Sequence, residues 1–139
     1  MRLALSNIAW DVSEDEAVAE LLTQYQVDAI DIAPGKYFPT PATATKADIQ
    51  AVRDWWTDRG IALTGMQALL FGTTGLNVFG DAPTQEKLLT HLDAVCRIAG
   101  QLGSTRLVFG SPRNRDRSGL DDEQALDIAT AFFRKLGDV

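Results

Sequence analysis

The sequence predicts an α/β fold with parallel strands: a (βα)4 unit, half of a TIM-type (β/α)8 barrel. Three observations predict it. Apolar strand and amphipathic helix alternate four times with no hairpin signal between them, so the strands run parallel through right-handed crossovers. A polar residue closes each strand at its C-terminal end, namely Asn7, Asp31, Gln67 and Ser111. That is where barrels of this kind keep their chemistry. At 139 residues the chain is also well short of the roughly 250 that eight units take. It is expected to form a single domain over residues 1–139 with two unpaired sheet edges and an uncovered inner face.

Each element has its own signals. Arg2–Ser6 reads as the first strand, and Ser13 with Glu16 three residues on reads as a capping box opening the first helix. Val18, Leu21, Leu22 and Tyr25 then recur at helical spacing, giving one apolar face. Asp28–Ile32 is a short apolar strand, and Ala33-Pro34-Gly35 must leave it. Pro39–Thr45 is a loop into a helix that starts near Thr45, buries Ile49, Val52 and Trp56, and stops at Gly60.

Ile61–Gln67 is the third strand, and a glycine-bearing loop, Phe71–Ala82, follows it. Asp81 and Pro83 suit a helix start. Leu88, Leu92, Val95, Ala99 and Leu102 form its buried stripe, and Gly103 ends it. Thr105–Gly110 is the fourth strand, and Ser111–Gly119 is a basic loop. Asp121 with Gln124 caps a last helix carrying Leu126, Ala129, Phe132, Phe133 and Leu136 on its apolar side.

Composition narrows the class. Charged residues at 23% and hydrophobic residues at 45% are ordinary for a globular domain. A net charge of −6 argues against general nucleic-acid binding, which needs clustered Lys and Arg. The N-terminus lacks a signal-peptide pattern, and no run approaches a membrane span. The single Cys96 has no disulfide partner in the chain and sits mid-helix among apolar residues, as a small buried hydrophobe would. A cytoplasmic location is the expectation.

Five segments follow one another at strand ends: Ser6-Asn7-Ile8-Ala9-Trp10, Ile30-Asp31-Ile32-Ala33-Pro34, Gln67-Ala68-Leu69-Leu70-Phe71-Gly72, Leu76-Asn77-Val78-Phe79-Gly80 and Val108-Phe109-Gly110-Ser111-Pro112-Arg113-Asn114-Arg115. In this order they resemble the N-terminal half of the sugar phosphate isomerase/epimerase family, which has the xylose-isomerase-like barrel. The resemblance implies carbohydrate metabolism by proton transfer beside a sugar carbonyl. It also implies a divalent metal (Mn, Mg or Zn) held by Glu, Asp and His at the ends of later strands. Those strands have no counterpart here, so no catalytic residue or metal ligand is carried over. The chain by itself is expected to be inactive.

What remains is a set of candidate substrate-binding residues. Asp31 is the one carboxylate at an apolar strand end; it either accepts hydroxyl hydrogen bonds in a pocket or caps the next turn. Asn7 and Gln67 can read sugar hydroxyls or satisfy loop backbone. Ser111 is similar, and it lacks the setting of a nucleophile. Arg113, Asn114, Arg115 and Arg117 form the one cationic cluster, with Arg113 nearest the strand end and Lys36 a second candidate for an anionic group. Their alternative is a solvated loop paired with Asp116, Asp121 and Asp122. Trp10, Tyr37, Phe38 and Phe71 lie in loops at the strand ends, suited to stack on a sugar or to pack as a lid. His91 is mid-helix, away from every strand end, and Gly72, Gly75 and Gly80 do not make a nucleotide fingerprint.

The expected partner is a small sugar or sugar phosphate, with no nucleic acid or membrane. Exposed strand edges point to self-association. The alternative from another class is a small dimeric α/β module that binds an anionic small molecule without catalysis. A DNA-repair endonuclease shares the barrel, but the acidic balance and the lack of strand-end histidines speak against it.

Overall fold

The computed structural model describes residues 2–138. Four strands, β1 (Leu5–Ser6), β2 (Ala29–Ile32), β3 (Ala62–Met66) and β4 (Arg106–Leu107), form one all-parallel sheet in the order β1-β2-β3-β4. Five helices accompany them among the described residues: α1 (Asp15–Gln24), α2 (Pro34–Tyr37), α3 (Lys46–Thr57), α4 (Ala82–Leu102) and α5 (Asp122–Gly137). Sequential order means that the sheet grows in one direction only. With right-handed crossovers, that direction puts every connecting helix on the same face. A doubly wound sheet would reverse direction and cover both faces.

Burial follows this layout. Ile30, Ile32, Leu63 and Met66 point to the helices and are buried together with Leu22, Ile49, Trp56, Leu88, Leu92, Val95 and Ile98. On the other face Asp31 and Thr64 remain half-exposed and Arg106 is exposed. The core thus lies in one layer between the sheet and its helices.

The helix signals mostly act as their chemistry dictates. Thr45 accepts from the Asp48 backbone N–H at 3.2 Å while the Asp48 carboxylate accepts from Thr45 N at 3.0 Å, a reciprocal capping box. Asp121 and Gln124 repeat it on α5. Asp81 caps α4, which ends at Gly103 with φ of 79°, a left-handed turn that glycine adopts without a Cβ penalty.

Several expectations need correction. The first capping pair is Asp11 and Glu14, not Ser13 and Glu16: Asp11 N donates to Glu14 Oε2 at 2.8 Å, and Glu16 is taken instead by Arg59 at 2.9 Å. The same spacing occurs twice in this segment, and Arg59 decides between them. Pro34–Tyr37 is a single helical turn rather than open loop, with Pro34 in the first turn where its missing N–H costs nothing. Strands β1 and β4 are only two residues long, because each has a neighbour on one side only. The apolar face of α1 is only partly covered: Leu22 is buried, while Leu21 and Tyr25 are 51% and 71% exposed. Leu126 and Phe133 of α5 likewise stand out at 67% and 43%. Cys96 is half-buried, and burial followed by the nearby Asp93 charge pushes its thiol pKa up.

Candidate functional site

The open inner face carries a row of polar groups at the strand ends. Register aligns Ser6 with Asp31, Asp31 with Gly65, and Gly65 with Arg106, and neighbours in register share a face. A bulge makes this row possible. Ile30 pairs with Leu63 but Asp31 with Gly65, so Thr64 is an extra residue in β3. Its hydroxyl donates to Asp31 Oδ1 at 2.9 Å.

Gly65 gives that carboxylate its space. A Cβ there would lie 2.8 Å from Asp31 Oδ1 and 3.0 Å from the Arg106 carbonyl oxygen. Next to it, Gln67 Nε2 donates to Ser6 Oγ at 2.6 Å, crossing the width of β2. Ala68, directly after Gln67, has φ of 51°, a left-handed conformation uncommon for a residue with a Cβ. Asp31 and Gln67 are therefore brought together on one face, each with a hydroxyl partner and each half-exposed. A carboxylate and an amide so placed can accept from and donate to the hydroxyls of a polyol.

Three other sequence-derived residues sit at the same end of the sheet but are committed to the loops. Asn7 is buried, and its Oδ1 accepts from Ala33 N at 2.7 Å, tying the end of β1 to the end of β2. Lys36 Nζ donates to the carbonyl oxygens of Asn7, at 2.9 Å, and Trp10. Trp10 is buried, and its indole N–H donates to Asp15 Oδ1 at 2.7 Å, so its ring is not a free stacking surface.

Asp15 is the centre of a buried cluster. Its second oxygen accepts from the Tyr37 hydroxyl at 2.8 Å, and that hydroxyl accepts from Trp56 Nε1 at 3.1 Å. Burial first, then the hydrogen bond and charge of Asp15, hold the Tyr37 pKa far above its ordinary value of 10.0. The cluster joins the loop after β1, the start of α1, α2 and α3. Phe38 is buried in the core, and Phe71 is exposed on the loop after β3.

The loop after β4 separates its cations. Asn114 is buried and donates to the Leu76 carbonyl at 2.6 Å, a structural pin. Arg115 donates to the carbonyls of Gly110 and Ser111, and Arg117 pairs with Asp122. Ser111 and Arg113 are exposed on a short turn, Pro112–Arg115, and Arg113 makes no side-chain hydrogen bond or ion pair among the described residues. His91 Nε2 lies 2.9 Å from the Leu69 carbonyl and anchors the loop after β3 to α4.

Ser6, Thr64 and Asp15 were not singled out as binding or cluster-forming residues from the sequence, and Tyr37, read there as a loop aromatic, has its hydroxyl between Asp15 and Trp56 instead. Gly65 was the available signal, since glycine inside a strand marks a bulge or a close approach. The divalent metal implied by the family resemblance does not fit the residues present. Among the described residues no three His, Cys, Asp or Glu side chains are grouped to hold an ion, and Asp31 is the inner face's lone carboxylate at a strand end. Among the described residues no helix is long and apolar enough to cross a membrane. No family model and no curated protein matches the chain.

Proposed function

We propose that this chain supplies the first four βα units of a sugar phosphate isomerase/epimerase-type barrel. On this reading its inner face holds the hydroxyls of a sugar or sugar phosphate. The observation that carries it is the pairing of Asp31 with Thr64 and Gln67 with Ser6 on the uncovered face of a sequentially ordered parallel sheet. Asp31 accepts from substrate hydroxyls and Gln67 both donates and accepts, which fixes the orientation of a polyol. The proton transfer beside the carbonyl, and any metal that assists it, then belong to the units that complete the barrel.

Arg113 offers a place for the anionic end of such a substrate, because its guanidinium has no hydrogen-bond or ion-pair partner among the described residues. The same residue favours the second reading, a non-catalytic module for small anions. Titration with ketose and aldose phosphates, followed by proton–nitrogen correlation spectra, separates the two. Shifts at the Gln67 side-chain amide and at the Ser6 and Thr64 backbone amides support the sugar reading. Shifts confined to Arg113–Arg117, reproduced by inorganic phosphate, support the anion module. No shift on the inner face with any sugar phosphate overturns the sugar reading.

A further inference from the structure

Asp15 is a buried carboxylate, 8% exposed, whose two hydrogen-bond donors are both neutral. The Trp10 indole N–H reaches one oxygen at 2.7 Å and the Tyr37 hydroxyl the other at 2.8 Å. No Lys or Arg pairs with it among the described residues. Burying a carboxylate is costly unless an opposite charge meets it. The positive end of the α1 dipole, roughly half an elementary charge, offsets only part of that cost. Each carboxylate oxygen accepts two hydrogen bonds, so one acceptor position on each stays open.

A cavity of about 410 Å³ lies beside this group, between the start of α1 and the second half of α3. That volume falls at the small end of the range for small-molecule sites. Its lining comes from the first two βα units alone, and none of it belongs to the inner-face row of Asp31 and Gln67. Val12, Val52 and Trp55 give it apolar walls, and the Tyr37 ring adds a second aromatic surface. Glu16 also borders the cavity, but Arg59 pairs with it at 2.9 Å. The same guanidinium stacks on Trp55, 3.8 Å from the ring centroid. Glu16 and Arg59 thus neutralise each other, and Asp15 remains as the cavity's uncompensated charge.

We propose that this cavity binds a small primary alkylammonium ion. The ammonium meets Asp15, and the alkyl chain lies between Val12, Val52 and Trp55. A primary ammonium has three donors and no acceptor, which matches the open positions on a carboxylate. Aromatic faces favour a cation over a neutral molecule of the same shape. A metal ion does not fit: among the described residues no group of three His, Cys, Asp or Glu side chains is placed to hold one. An anion would meet the Asp15 charge, and a sugar would find walls that are mainly apolar.

Titration of the full chain with n-butylammonium, followed by proton–nitrogen correlation spectra, tests the proposal. n-Butanol and butyrate serve as neutral and anionic probes of the same shape. The expected result is a saturable shift of the Trp10, Trp55 and Trp56 indole N–H signals with n-butylammonium. Binding of n-butanol should be about tenfold weaker or worse, because the charge-assisted bond to Asp15 is lost. Butyrate should shift none of these signals. Asp15→Asn should bind n-butylammonium and n-butanol alike. Should that variant fail to fold, Ala51→Phe decides, since it fills the cavity from an exposed position on α3. It should keep its circular dichroism and lose n-butylammonium binding.

Equal affinity for n-butylammonium and n-butanol in the unmodified chain overturns the proposal, because the cavity is then only an apolar cleft. No saturable shift at high millimolar n-butylammonium overturns it as well. So does binding that survives Ala51→Phe, because the cation then sits elsewhere. The sugar reading stands or falls on a different signal, the Gln67 side-chain amide on the inner face.

Discussion

The two middle βα units and the two outer ones are built from the same parts, yet they finish with different surfaces. Strands β2 and β3 have a neighbour on each side, and α3 and α4 pack against elements to both left and right. Neither helix exposes a large apolar side chain. Units one and four have one neighbour each. Of the ten large apolar side chains exposed among the described residues, nine lie on or beside the outer strands and helices, and the tenth is Phe71 in a loop. Helices α1 and α5 thus carry apolar residues for two contacts and make one. A βα unit is stabilised from both flanks, and this sheet leaves one flank of each end unit open.

The largest test of that contrast compares truncations in the two regions. Trp56→Ala in a middle unit removes a fully buried ring and its bond to Tyr37, and should cost about 3–5 kcal/mol in urea unfolding. Leu21→Ala in an outer unit should cost no more than about 0.5 kcal/mol in the dilute monomer. Equal costs would mean that the outer stripe is already packed.

Gly65→Ala sharpens the comparison inside the sheet. The new Cβ meets Asp31 Oδ1 and the Arg106 backbone, so a loss of about 1–3 kcal/mol is expected, with displacement of the Asp31 carboxylate. Caps give a smaller effect. Thr45→Ala on α3 and Asp121→Ala on α5 should each cost about 1 kcal/mol by thermal or urea unfolding. A much smaller loss for Asp121→Ala would show that α5 unfolds apart from the middle units.

The pH response is the smallest effect and again compares regions. Hydrogen bonds from Thr45 to Asp48, Thr84 to Asp81 and Ser118 to Asp116 hold these three carboxyls below 3.8. Groups whose pKa is lowered by folding contribute stability above the unfolded value and lose it as pH falls through the folded one. A modest decline below about pH 4 is therefore expected, reduced in Asp48→Asn. Tyr37 acts at the other limit. Its raised pKa means that the unfolded chain releases the proton first, so stability declines as pH rises above 10.0. Tyr37→Phe should flatten that alkaline decline.

The middle of the molecule was far more legible in the sequence than its ends. The stripe of Leu88, Leu92, Val95, Ala99 and Leu102 was read directly from helical spacing, as was the start of α3 near Thr45, because local chemistry and burial agree there. Leu21, Tyr25, Leu126 and Phe133 have the same spacing signal, and periodicity identifies an apolar stripe without saying whether anything covers it. The site divides in a similar way. Asp31 and Gln67 were visible as polar residues at strand ends, and they do share a face. Asn7, Lys36 and Trp10 have the same sequence position, but their partners lie in distant loops: Ala33, backbone carbonyls and Asp15. The bulge at Thr64 arises from register between strands, which no local pattern records.

Hydrogen exchange read strand by strand in dilute protein tests most directly whether the two edges of this sheet are open. Strong protection of β2 and β3 is expected, with β1 and β4 exchanging quickly. Protection of β1 and β4 equal to that of β2 and β3 in the dilute monomer would contradict it, because the edges would then be covered within a single chain.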